Sequence, residues 1–101
     1  MNSNTCLLYN NVHDVYHKLI LFCIAKDFRI KESNEKYYFL RAKKSSLLFW
    51  KNLRLELEIL TADKEKVQVT AMLYKFGKRQ PALESEYIIS IEKFLNAAQE
   101  G

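Results

Sequence analysis

The chain has 101 residues, of which 49% are hydrophobic and 28% are charged, and its formal net charge at pH 7 is +4. This length and balance fit one globular domain and exclude an intrinsically disordered chain. The longest apolar run, Leu19–Ala25, is far shorter than the roughly 20 residues that a transmembrane helix needs, so a transmembrane helix is also excluded.

The N-terminal segment and the cysteines indicate a reducing compartment. No Lys or Arg precedes the first apolar residues of "MNSNTCLLYNN", which is unlike a secretory signal. Cys6 and Cys23 form neither a CxxC pair nor a paired zinc-ligand pattern. Cys23 lies in the apolar run, where a free cysteine acts as a small core side chain. We therefore expect a cytoplasmic protein with free thiols, and the spacing leaves a Cys6–Cys23 disulfide as the alternative.

The first predicted element is a helix over residues 12–26. Apolar side chains recur there at helical spacing, at Val12, Val15, Tyr16, Leu19, Ile20 and Cys23. Asn11 precedes this pattern and can cap the first turn, and Asp14 places negative charge at the positive end of the helix dipole. Residues 1–8 carry no such pattern, and we expect them to be loose.

From residue 28 the apolar period changes to two, which predicts four antiparallel strands. "FRIKE" and "KYYFLRAK" are separated by the hairpin loop "ESNE", and "LRLELEI" and "VQVTAMLY" are separated by "TADKE". Pairing Ile59 with Val67 places Leu57 opposite Val69, and in this register all the apolar side chains of the hairpin share one face. The sequence therefore predicts a sheet with one apolar face.

A second helix is predicted from Pro81, where apolar side chains return to helical spacing. Residues 1–101 thus form one α+β domain, a four-stranded antiparallel β-meander with N-terminal and C-terminal helices packed on one face, in the order α-β-β-β-β-α. Residues 99–101 are expected to be loose. The predicted core comprises Val15, Tyr16, Leu19, Cys23, Phe28, Ile30, Leu40, Leu53, Leu55, Leu57, Ile59, Val67, Val69, Leu73, Ile88, Ile91 and Leu95.

The sequence lacks the motifs of common enzymes. The only glycines are Gly77 and Gly101, so a glycine-rich phosphate-binding loop is excluded. Nothing places a serine or cysteine nucleophile beside either histidine. The strand carboxylates Glu56 and Glu58 are typical of a solvated face. We predict a protein that is not an enzyme and uses no cofactor.

His13 and His17 are spaced i, i+4 on the first predicted helix, which is the geometry of a helical metal-binding pair. A stable metal site needs further ligands, but Asp14 projects elsewhere on the turn and Cys6 lies upstream in a predicted loop. We therefore predict no metal and interpret the two histidines as an exposed helix edge.

The basic residues are concentrated in the strand region. Fifteen of the 16 Lys and Arg residues lie within residues 18–79, and residues 36–55 contain six of them and no acid, interleaved with aromatic side chains. The face of the sheet turned away from the helices is therefore predicted to be partly basic and partly aromatic. The candidate binding residues are Phe39, Arg41, Lys43, Lys44, Phe49, Trp50, Lys51, Arg54, Met72 and Tyr74.

Several functions suit such a face. We rank first an interaction module whose second sheet face or edge binds another protein or a second copy of the chain. The alternative is single-stranded nucleic acid, whose bases would stack on the rings while Lys and Arg track the phosphates, although the element order and aromatic motif of the common sheet-based RNA binders are absent. A small apolar or anionic ligand is a further alternative, and membrane contact through residues 47–50 ranks last.

Overall fold

A computed structural model describes residues 4–44, 52–63 and 65–100 of the chain. The elements, in chain order, are β1 (Thr5–Leu8), α1 (Val12–Ala25), β2 (Arg29–Asn34), β3 (Phe39–Lys44), β4 (Leu53–Asp63), β5 (Lys66–Lys75), β6 (Lys78–Arg79) and α2 (Pro81–Glu100). The strands form one antiparallel sheet in the order β1-β5-β4-β3-β2, and β6 also pairs with β5. The predicted α+β class, with an antiparallel sheet and two helices, is confirmed.

The strand number and the element order differ from the prediction. Thr5–Leu8, expected to be loose, form a strand that pairs with β5 and precedes the first helix. Four residues are too few to show an apolar period, and this strand is defined by its distant partner rather than by its own pattern. The two-residue β6 follows a turn in which Gly77 has φ +75, a conformation that glycine adopts without strain. The sheet thus has five strands and a sixth short one, rather than four.

The β4–β5 hairpin has the predicted faces but a different register. Leu57 lies opposite Ala71 and Ile59 lies opposite Val69, each two positions from the predicted pairing. The strand β4 continues to Asp63 within "TADKE" and β5 begins one residue before the predicted Val67, which makes the connection shorter. Because side chains alternate with a period of two, a shift of two positions leaves every apolar side chain on its predicted face.

The turn between β2 and β3 covers residues 35–38 instead of the predicted "ESNE" loop. Asn34 Oδ1 accepts hydrogen bonds from the backbone N–H groups of Lys36 (3.0 Å) and Tyr37 (3.1 Å). Tyr38 completes the turn with φ 52. An Asn side chain that bonds its own downstream backbone is a common way to fix such a turn, and here it places Glu35 at the turn's tip.

The core lies between the sheet and the two helices, which contact the same sheet face. The helix predictions hold locally, because the Asp14 N–H donates to Asn11 Oδ1 (2.9 Å) and α2 begins at Pro81. The predicted core residues are buried except for Ile30 and Leu53, which are half-buried. Residues that are buried but were not predicted are Cys6, Leu8, Phe22, Ala42, Ala71 and Glu84.

Glu84 is a buried acid that accepts a backbone hydrogen bond from β5 where that strand has no strand partner on one side. The backbone N–H of Leu73 donates to Glu84 Oε2 (2.9 Å), at a point of β5 that neither β1 nor β6 covers. Arg79 donates to both oxygens of the same carboxylate. The Arg79 hydrogen bonds, and secondarily that of Leu73, lower the pKa of Glu84 below its usual range. A charged side chain here takes the place of a missing strand partner.

Neither described helix combines the length and the apolar character that crossing a membrane would require.

Candidate binding site on the outer sheet face

We call the sheet face that packs on α1 and α2 the inner face, and the opposite one the outer face. Strand alternation places Lys43, Arg54 and Tyr74 as cross-strand neighbours in one row of the outer face. The next row contains Arg41 and Met72. With Phe39 on the same strand as Arg41, the structure brings six of the ten candidate binding residues onto one surface.

The other four candidates lie elsewhere. Lys44 shares the strand parity of the buried Ala42, and its Nζ lies 5.7 Å from the ring centroid of Phe28 on the inner side. Phe49, Trp50 and Lys51 lie outside the described residues, as does the rest of the apolar run at residues 47–50.

An open concavity of about 580 Å³ occupies one end of the outer face. It is lined by Lys31, Arg41, Lys43, Asn52, Leu53, Arg54, Tyr74, Phe76 and Gly77. Four of these residues are cations, two are aromatic and none is acidic. We call this region the basic end.

Two of the four cations in the basic end are held by neighbouring side chains. Arg54 Nε lies 3.2 Å from Glu56 Oε2, and the Arg54 guanidinium stacks 4.3 Å from the ring centroid of Tyr74. Arg41 Nη1 lies 3.1 Å from Glu32 Oε2. These contacts orient the guanidinium groups and offset part of their charge.

The two lysines of the basic end are differently placed. Within the described part of the chain, neither Lys31 nor Lys43 forms an ion pair, and both are exposed. They are therefore the cations of this region that are most available to an anionic ligand.

The aromatic and sulfur-containing side chains of the outer face are only partly accessible. Phe39, Met72 and Tyr74 are half-buried, whereas Phe76 is 64% exposed. Phe76 directly precedes Gly77 and itself has φ 54, so the β5–β6 turn presents its ring at the rim of the concavity. An exposed ring beside cations suits contact with a ligand better than it suits core packing.

The outer face changes in character along β4. Arg54 lies in the basic end, Glu56 and Glu58 follow in the middle of the strand, and Leu60 comes last. Leu60 is 49% exposed and lies in one row with Gln68 and the 41% exposed Leu7. The face therefore has a basic end, an acidic middle and an apolar end.

The candidate residues chosen from the sequence do not include five that line the concavity: Lys31, Asn52, Leu53, Phe76 and Gly77. For Lys31 and Phe76 a signal was present, because alternation sets Lys31 on the side opposite Ile30 and Phe76 on the side of Met72 and Tyr74. For the others no local signal existed, because these residues belong to strand ends and a turn that come together only in the folded sheet.

The two cysteines offer no nucleophile at neutral pH. Both are free and buried. Burial raises the pKa of each thiol to about 12, with a smaller contribution from the charge of Glu92 in the case of Cys6. Because the thiolate is the reactive form, both groups behave as core side chains.

A second polar cluster lies at the start of α1. His13, His17 and Glu35 place one ligand-type atom each within 4.8 Å of one another, and all three are exposed. Glu35, at the tip of the β2–β3 turn, is the neighbour that sequence spacing could not supply for the histidine pair.

No protein-family model matches the sequence, and no curated protein is significantly similar to it. A proposal about function therefore rests on the residues of this chain.

Proposed function

We propose that the chain is a non-enzymatic interaction module that binds an acidic segment of a partner protein through the outer face. The observation that carries this proposal is the lining of the basic end, which combines four cations with two aromatic rings and no acid. Such a surface attracts carboxylates while giving apolar atoms a place to pack.

The available cations define the first contacts. Lys31 and Lys43 are exposed and form no ion pair within the described ranges, so a partner carboxylate would displace only water from them. Ion pairs between exposed groups contribute up to about 1 kcal/mol each. A micromolar complex requires about 8 kcal/mol after the cost of association is met, so contacts along the rest of the outer face would have to supply most of it.

The order of basic, acidic and apolar side chains along β4 suggests which side chains a partner segment would carry. Leu60 lies six positions after Arg54, which corresponds to about 20 Å of extended chain. A partner segment lying along this strand would present acids at the basic end, a basic residue opposite Glu56 and Glu58, and an apolar residue at Leu60. Charge complementarity of this kind gives specificity and register.

The acidic middle is the reason for preferring a protein partner over a long nucleic acid. A phosphate chain crossing the sheet would pass Glu56, whose charge Arg54 offsets in part, and then the exposed Glu58, which would repel it. A peptide can change the sign of its charge from one residue to the next, whereas a phosphate backbone cannot.

Short single-stranded nucleic acid remains the second candidate because of one contact. The Arg54 guanidinium stacks on Tyr74 beside the exposed ring of Phe76, and base stacking on such groups contributes about 1–3 kcal/mol per base. One or two nucleotides could occupy the basic end without reaching the acidic middle.

The test compares two fluorescein-labelled probes at 50 mM salt by anisotropy: a peptide of the acidic, basic and apolar pattern, and oligo(dT) of equal length. We expect the peptide to bind saturably and the double substitution Lys31→Ala/Lys43→Ala to weaken it at least tenfold. The matched control is Lys18→Ala/Lys93→Ala, which removes the same charge from α1 and α2, on the other side of the sheet.

Three outcomes would overturn the protein-partner proposal. Equal losses in the two double variants would mean unspecific attraction to net charge. Tighter binding of oligo(dT) would favour the nucleic-acid candidate. A mass near twice 12.0 kDa by light scattering, abolished by the Lys31/Lys43 substitutions, would assign the outer face to a second copy of the chain.

A further inference from the structure

We propose that His13, His17 and Glu35 bind a Zn²⁺ ion, which ties the first turns of α1 to the β2–β3 turn. This site lies on elements other than the basic end and does not depend on the proposed partner.

The geometry of the three groups fits one ion. His13 Nδ1 and His17 Nε2 each lie 3.5 Å from the same atom, Glu35 Oε1. Two ligand atoms bound about 2.1 Å from a tetrahedral zinc ion are separated by about 3.4 Å, which is close to these distances. One ligand-type atom of each residue lies within 4.8 Å of the other two, so rotation of these exposed side chains can bring all three to zinc-binding distance.

The ligand types select the ion. Two imidazoles and one carboxylate form the three-residue set of many zinc sites, in which water takes the fourth position. The side chains are 51–60% exposed, so solvent can supply that water. Mg²⁺ and Ca²⁺ prefer sites made of oxygen ligands, and this cluster has only one carboxylate.

An ordinary ion pair accounts for the arrangement less well. A protonated histidine would pair with Glu35, but exposed pairs contribute little to stability. The two imidazole rings also lie 4.4 Å apart between centroids in an edge-on arrangement, so both can face the same carboxylate.

The protein positions the ligands before any ion binds. The hydrogen bonds from the N–H groups of Lys36 and Tyr37 to Asn34 Oδ1 fix the turn that carries Glu35. The ring of Tyr38 packs edge-on against that of Tyr16 on α1, with centroids 5.6 Å apart, and Tyr16 is buried. Turn and helix are thus held together next to the site, which lowers the entropic cost of assembling it.

Other metal-ligating side chains nearby are already engaged or buried. Asp14 Oδ2 accepts a hydrogen bond from the Asn11 side chain at the N-cap (3.0 Å). Cys6 and Cys23, whose thiolates would bind zinc more strongly than imidazole does, are buried in the core. The three exposed groups are therefore the ones that zinc meets at this surface.

The test is a calorimetric titration of the chelator-treated full chain with ZnCl₂. We expect one ion per chain and at least a tenfold rise in the dissociation constant for each of His13→Ala, His17→Ala and Glu35→Gln, since changing even an outer partner of a ligand typically costs 10–100-fold. Zinc at a hundredfold excess over that constant should also raise the thermal midpoint by about 10 °C. MgCl₂ should do neither.

The variant Glu35→Gln decides between this site and a simple histidine pair. The matched control is Glu86→Gln, an exposed carboxylate of α2, which should bind zinc as the natural chain does. All of these side chains are exposed, so far-UV circular dichroism should confirm that each variant folds. Unchanged affinity in Glu35→Gln, or no zinc binding by the natural chain, would overturn the proposal.

Discussion

The inner and outer faces of the sheet are formed by the same strands, yet they differ in burial and in charge. On β4, Leu55 and Leu57 are completely buried on the inner face, whereas Arg54 and Glu58 are exposed on the outer one. The buried part of the inner face is apolar, and α1 and α2 of the same chain cover it. The outer face has no cover among the described residues and changes from basic to acidic to apolar along one strand. Strand alternation thus determines which face is buried, while the order of charges along the other face is the basis of the binding that we propose.

The largest expected difference between the faces is in packing energy. Leu57→Ala removes a fully buried side chain from the inner face, and we expect it to lower the free energy of unfolding by about 2–5 kcal/mol. Leu60→Ala makes the same change on the same strand at a position that is 49% exposed on the outer face, and we expect less than about 0.5 kcal/mol. Urea denaturation measures both. Equal effects would mean that the two faces are not distinguished by burial.

An intermediate effect is expected at Glu84, which completes the β5 edge. Glu84→Ala leaves the buried N–H of Leu73 without its acceptor, which should cost about 1–3 kcal/mol. The exposed Glu86→Ala on the same helix should cost less than about 0.5 kcal/mol. If both substitutions lowered the free energy of unfolding equally, Glu84 would not have the structural role assigned to it at the edge of β5.

The contribution of Glu84 should also depend on pH in one direction. Because the folded state lowers the pKa of this carboxyl, the stabilisation is present above its pKa in the unfolded chain, about 4.3, and is lost as the pH falls through the lower folded pKa. The gap in stability between the natural chain and Glu84→Ala should therefore narrow in acid. A gap that widened would contradict the assignment of the ionised form.

The smallest expected effect on stability is at the basic end. The double substitution Lys31→Ala/Lys43→Ala removes exposed like charges that form no ion pair within residues 4–44, 52–63 and 65–100. We expect the free energy of unfolding to change by less than about 0.5 kcal/mol, while binding of the acidic probe falls. A large loss of stability would show that these lysines support the fold rather than a ligand.

Much of the fold could be predicted from the sequence because its signals are local. The helical period and the Asn11 cap located α1, Pro81 located the start of α2, and alternation assigned the faces of β4 and β5. Alternation does not define register, however, since a shift of two residues leaves the faces unchanged. That is why the predicted pairing of Ile59 with Val67 was wrong although both side chains are buried.

The features that sequence could not supply all depend on distant partners. Thr5 pairs with Thr70, so nothing near β1 in the sequence predicts it. Glu84 has the composition of a surface acid, and only the gap at Leu73 explains its burial. Glu35 comes close to His13 and His17 because the β2–β3 turn lies against the first turns of α1. The candidate site divides in the same way. Strand parity predicted Arg41, Lys43, Arg54 and Tyr74, whereas the converging strand ends and turn added Asn52, Leu53 and Gly77.

The pairing of β1 with β5 also bears on the order of folding. Asn4 and Ala71, which are hydrogen-bonded, are 67 positions apart, whereas the other strands pair as hairpins along the chain. Closing a long loop costs more entropy than closing a short one, so we expect β1 to dock after the hairpins have formed. Until then the edge of β5 can accept the same segment from another molecule, and strand exchange would yield a dimer with no new kind of contact. The dimer fraction after refolding at increasing protein concentration would measure how quickly β1 finds its own chain.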